Sequence, residues 1–126
     1  AVYIYEYRVD RANWRNQLKM DLNPNKNKAL EELRQILKKK ISNIDLWVFG
    51  SKARQNSSSE SDIDVMIIVD SYDQDIQAFI DDVTFELNLQ HNCLISTVVF
   101  SRDELEKGPM SESPLYKTAV NEGLRF

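Results

Sequence analysis

The chain has 126 residues, 42% of them hydrophobic and 29% charged, with a net charge of −4. That length suits one domain with its own core, and a pI near 5.0 argues against duplex nucleic acid as a partner. No apolar stretch nears the ~20 residues that span a bilayer, the first residues lack a signal-peptide core, and one cysteine excludes an internal disulfide framework; a soluble cytoplasmic protein is expected.

Along the chain, "AVYIYEYRVD" alternates like a strand but reads equally well as an irregular arm. "MDLNPNKN" is a break, so residues 1–25 are expected to form an N-terminal extension and residues 26–126 the folded domain. From Lys26, residues Leu30, Leu33, Ile36, Leu37 and Ile41 recur at helical steps, with Asn25 or Asn27 as the candidate cap. Lys38, Lys39 and Lys40 end this helix, where cations complement its dipole.

"IDLWVF" reads as a short strand stopped by Gly50, and "QNSSSESD" as a polar loop. "IDVMIIVD" is apolar on both alternations, which predicts a central strand covered on both faces. Ile76, Phe79, Ile80, Val83 and Leu87 predict a second amphipathic helix, and "CLISTVVF" a third strand, with Cys93 expected as a small core residue. Ser101 and Glu104 form a capping box opening a short helix that ends at Pro109. Ser113-Pro114 opens a last helix and Gly123 stops it. The expected fold is α/β (α+β), a small mixed sheet backed by helices.

The acids at the mouth of the central strand carry the chemistry. Asp62 and Asp64 are two apart, so on a strand they share a face with Cα atoms about 6.5–7 Å apart, while Ile63 and Val65 turn inward. Two carboxylates on one face repel unless a cation lies between them. Mg²⁺, hard and oxygen-seeking, suits such a pair together with substrate phosphates. Gly50 lets backbone amides approach an anion, Ser51 adds a hydroxyl, and Arg54 adds a guanidinium fork. A Gly-Ser turn or an Asp-x-Asp alone assigns nothing; together, between strand-like flanks, they point to a metal–phosphate site.

"GSKARQNSSSESDID" places ten residues between Gly50-Ser51 and Asp62-Ile63-Asp64. In this it resembles the DNA-polymerase-β-like nucleotidyltransferase superfamily, and within it the minimal nucleotidyltransferases of prokaryotes. The resemblance covers roughly residues 28–107. It implies a phosphate-binding turn at Gly50 and Ser51 and a metal-binding, catalytic pair at Asp62 and Asp64. Two departures stand out. Gln55 replaces a common glycine, and "CLISTVVFS" lacks the third carboxylate expected on the next strand. By position Ser96 fills that slot, and a serine hydroxyl is a weak ligand and no base near neutral pH. Glu86, Asp81 or Asp82 on the preceding helix, or His91, are the candidate substitutes.

The resemblance implies Mg²⁺-dependent transfer of a nucleoside monophosphate, AMP from ATP, to an acceptor hydroxyl. It also implies a partner: minimal nucleotidyltransferases pair with HEPN-domain proteins as toxin–antitoxin modules, in which the transferase attaches AMP to the toxin. A second reading is a weak or inactive domain that acts by binding its partner, with Tyr3, Tyr5, Tyr7 and Trp14 suited to an interface. A third is transfer to a small molecule, with a homo-oligomer completing the acceptor pocket.

Overall fold

The computed structural model describes residues 24–49 and 63–126. Helix α1 (Pro24–Lys40) leads to strand β1 (Asp45–Phe49). Strand β2 (Ile63–Val69), helix α2 (Gln74–His91) and strand β3 (Ile95–Ser101) follow. The chain then forms α3 (Arg102–Lys107), a 3₁₀ turn at Pro109–Glu112, α4 (Pro114–Glu122) and the short strand β4 (Leu124–Arg125). The sheet order is β3-β2-β1-β4. β1 is antiparallel to both β2 and β4, and β2 is parallel to β3, with α2 as the crossover.

β2 is the axis of the fold. Six of its seven residues are buried, because helices cover both faces of the sheet. Ile63, Val65, Ile67 and Val69 face a core shared with Leu30, Leu33 and Leu37 of α1 and Ile80 and Leu87 of α2. Met66 and Ile68 face the opposite core, with Trp47, Phe49 and Phe100 beneath Leu105, Tyr116 and Val120. The apolar run that reads as a two-sided central strand is therefore one. The Phe100 and Tyr116 rings meet edge-on at 5.8 Å, which ties α4 to the sheet.

The helix ends follow local chemistry. Ser101 Oγ accepts the Glu104 N–H at 3.1 Å, and Ser113 Oγ accepts the Tyr116 N–H at 3.5 Å, as the capping patterns predict. Asp73 caps α2, its Oδ1 accepting from the Ile76 N–H at 2.8 Å. Some expectations need correcting. α1 begins at Pro24, so Asn25 and Asn27 lie inside its first turn and do not cap it; proline's fixed φ and missing N–H suit that position. α3 stops at Lys107 with Gly108 as its cap, and Pro109 opens the 3₁₀ turn instead. β4 has no counterpart in the sequence reading, because two residues carry no periodicity. Residues 1–23, including Tyr3, Tyr5, Tyr7 and Trp14, lie outside the described residues.

At one end of the sheet a charged clamp joins the strands. Arg102, just past β3, donates to Asp45 Oδ2 and Asp70 Oδ1, both at 2.7 Å, and to the Asn43 carbonyl. Arg125 of β4, itself buried, pairs with Asp45. Asn43 and Arg102 together hold the Asp70 carboxyl below its ordinary value. A depressed carboxylate stabilises the fold above its unfolded pKa, and that contribution is lost as pH falls through the folded value. Asp70→Asn should therefore lower the melting temperature at neutral pH, and the gap to wild type should close as pH falls below 3.8, the group's ordinary value. Melting curves across pH check this.

Gly123 joins α4 to β4 and packs against β1. A Cβ there would stand 2.3 Å from the Ala119 carbonyl oxygen and 2.7 Å from that of Val48. Gly123→Ala should destabilise the protein by about 1–3 kcal/mol, as forced overpacking does; urea titration measures it.

Candidate active site

At the end of the sheet opposite the clamp, β1 finishes while β2 and β3 begin. The register aligns Phe49 with Asp64 across the antiparallel pair, and Asp64 with Ser96 across the parallel pair. Asp64 is half-buried and Ser96 exposed, while their neighbours Ile63, Val65 and Ile95 are buried in the α1–α2 core. Strand alternation thus turns Asp64 and Ser96 to the face opposite α1 and α2, next to Phe49. The C-terminal end of α4 borders this edge, with Gly123 against Phe49.

The segment 50–62 joins this end of the sheet through its covalent neighbours Phe49 and Ile63. Gly50, Ser51, Arg54 and Asp62 themselves lie outside the described residues. Of the candidate site residues, the structure brings together Asp64 and Ser96.

The alternative acids are elsewhere. Asp81, Asp82 and Glu86 project from α2, which covers the other face of the sheet. Asp81 accepts from Gln77 Nε2 at 2.9 Å, whereas Asp82 and Glu86 line a groove beside α1. His91 Nε2 stands 3.1 Å from Glu32 Oε2, which links α2 to α1. None of these groups shares a face with Asp64, so the candidate substitutes for a third carboxylate do not take that role. The reason is topological: a crossover helix packs on one face of the sheet, and the acid it would replace is on the other.

Among the described residues, no group of three or more His, Cys, Asp or Glu side chains is arranged to hold a metal. Asp64 and Ser96 are hard oxygen donors at an exposed strand mouth. That chemistry fits a Mg²⁺ ion that takes one or two carboxylates and completes its shell from phosphates and water. Sequence reasoning did not single out Phe49, which the antiparallel register sets beside Asp64; an apolar residue at a strand end carries no local signal.

Cys93 is not part of this chemistry. It packs against the α1–α2 core, and its Sγ lies 3.7 Å from Asn88 Oδ1. Burial raises the thiol above its ordinary value, against a smaller opposing effect from Lys26.

A family model for the nucleotidyltransferase domain matches residues 30–124, most of the chain. The fold already described is thus that of a nucleotidyltransferase domain, and the chain belongs to that family. No curated protein and no solved structure matches it significantly. No helix among the described residues is long and apolar enough to cross a membrane.

The raised thiol leads to a chemical prediction. Cys93 in the folded protein should react with a disulfide reagent at pH 8 more slowly than in urea, since only the thiolate attacks and burial disfavours it. Absorbance of the released thiolate follows both rates.

Proposed function

We propose that this chain is a Mg²⁺-dependent nucleotidyltransferase that moves AMP from ATP to an acceptor hydroxyl on a partner protein, acting in the cytoplasm as the antitoxin of a toxin–antitoxin pair. Membership of the nucleotidyltransferase domain family supports the reaction class. The observation that carries the site is the position of Asp64, a half-buried carboxylate at the open mouth of an otherwise buried strand.

In this reading Gly50 and Ser51 cradle the triphosphate, and Arg54 adds a fork to its oxygens. Asp62 and Asp64 hold the cation, which when bound neutralises charge on the departing pyrophosphate. The acceptor oxygen forms a bond to the α-phosphorus as the bond to the bridging oxygen of pyrophosphate breaks. Acceleration comes from positioning and electrostatics. In this reading the acceptor hydroxyl is carried by a protein partner of the HEPN type.

A second reading rests on Ser96. The residue aligned with Asp64 on β3 is a hydroxyl, not an acid. It offers no base for the attacking oxygen. A weak or inactive transferase that neutralises its partner by binding, with nucleotide still held, follows from that substitution.

Incubation with α-labelled ATP, Mg²⁺ and the protein encoded next to it separates the two. Label on the partner supports transfer, and tight association without label supports binding alone. Under the first reading Asp62→Asn and Asp64→Asn should each cut labelling by more than about 100-fold with unchanged circular dichroism, the scale of losing a direct metal ligand. Near-wild-type labelling by either variant would remove that residue from the metal site.

A further inference from the structure

β3 is an edge strand, hydrogen-bonded to β2 on one side only. In a parallel pair, alternate residues turn both backbone groups toward the neighbour and the others turn theirs away. The Leu94 carbonyl accepts from the Ile63 N–H at 2.7 Å, so Leu94, Ser96, Val98 and Phe100 face β2. Ile95, Thr97, Val99 and Ser101 therefore face outward. At Ile95 the edge is closed by α2: Asn88 Oδ1 accepts the Ile95 N–H at 2.8 Å, and Asn88 Nδ2 donates to its carbonyl at 3.2 Å. Ser101 passes into α3 as its cap. That leaves Thr97 and Val99, whose two N–H donors and two carbonyls meet no partner among the described residues.

Such edges are ordinarily blunted by a charge, a proline or a bulge. β3, ISTVVFS, contains no charge and no proline, and its register with β2 runs without a break. Beside the open stretch, α2 turns out Phe85, 63% exposed, one turn before Asn88 on the same flank, with Asp81 a further turn along. Past Ser101 the edge runs into a hollow of about 580 Å³ lined by Asp70, Tyr72, Asp103, Glu104 and Glu106. No lysine or arginine lines it. The two cations of α3 are engaged: Arg102 with Asp45 and Asp70, and Lys107 with Asp103 at 2.7 Å.

We propose that β3 takes up an extended, basic segment of a partner protein, which adds to the sheet antiparallel to β3. Three residues of that segment supply the missing main-chain bonds at Thr97 and Val99, and one of its side chains lies against Phe85. The lysines or arginines that precede them enter the acidic hollow. Charge selects this occupant. A second copy of the chain has a net charge of −4 and no cation on β3, so pairing edge to edge would leave the hollow unmatched. Among the described residues no acidic cluster is arranged to hold a metal ion. The hollow lies at the clamp end of β3 and Asp64 at the other end of the sheet, so the proposal is independent of the transferase chemistry.

NMR of the isotope-labelled 126-residue chain, with the capped hexapeptide Lys-Lys-Thr-Val-Thr-Val as probe, tests the proposal. Before peptide is added, the Thr97 and Val99 amides should exchange with solvent at least about tenfold faster than those of Val98 and Phe100, which β2 protects. Saturating peptide should slow exchange at Thr97 and Val99 by about tenfold or more and leave Ile95, already bonded to Asn88, unchanged. Peptide methylated on the backbone nitrogens of its Thr-Val-Thr stretch, or carrying Glu-Glu for Lys-Lys, should bind about tenfold more weakly or worse. The double variant E104K/E106K should reverse the preference between the lysine and glutamate peptides with unchanged circular dichroism. Signal shifts confined to other surfaces, or equal affinity for the two peptides, would overturn the proposal. So would protection of Thr97 and Val99 that rises with protein concentration in the absence of peptide, the mark of a second copy on the edge.

Discussion

The structure depends on the double-sided burial of β2. A strand whose alternate residues enter two separate cores has no freedom of register, because a shift of one residue would exchange every side chain between them. That constraint places Asp64 on the face away from α1 and α2, level with Phe49 and Ser96. The acid is positioned by the buried side chains on either side of it, and by the helices that bury them.

The two ends of the sheet divide the work. At one end Arg102 and Arg125 converge on Asp45, with Asp70 and Asn43 joined to the same cluster. These charges come from the start of β1, the exit of β2, the exit of β3 and β4, so the cluster fastens all four strands where no chemistry is expected. Partly buried charges of this kind are costly unless each is matched, and here each guanidinium meets a carboxylate. At the other end the strands open onto Asp64 and Ser96, where an exposed polar edge suits a ligand that brings its own charge. The charged clamp and the candidate site are thus separated by the length of β2.

Much of this was legible before any coordinates. The all-apolar alternation of residues 63–69 announces a covered central strand, and the helical steps in α1 and α2 name the residues that cover one face. Caps at Ser101 and Ser113 are local hydrogen-bond chemistry and were readable for that reason. The start of α1 was not, since a proline among asparagines is as good a turn as a first helical turn. β4 was invisible: its two residues are strand only because β1 offers a free edge beside them. The charged clamp was equally hidden, because Asp45 and Arg125 lie 80 residues apart.

What the sequence alone determined is the identity of most of the elements, because periodicity and capping are properties of neighbouring residues; the Gly-Ser and Asp-x-Asp pattern, equally local, is what raises the expectation of a metal–phosphate site. The tertiary structure decided which acids can act together. Asp81, Asp82, Glu86 and His91 are close to Ser96 along the chain, yet α2 carries them to the far face of the sheet. Asp64 and Ser96, 32 residues apart, stand side by side because a parallel crossover returns β3 to the edge of β2. Such a contact is set by the packing of whole elements, and no local pattern of residues encodes it.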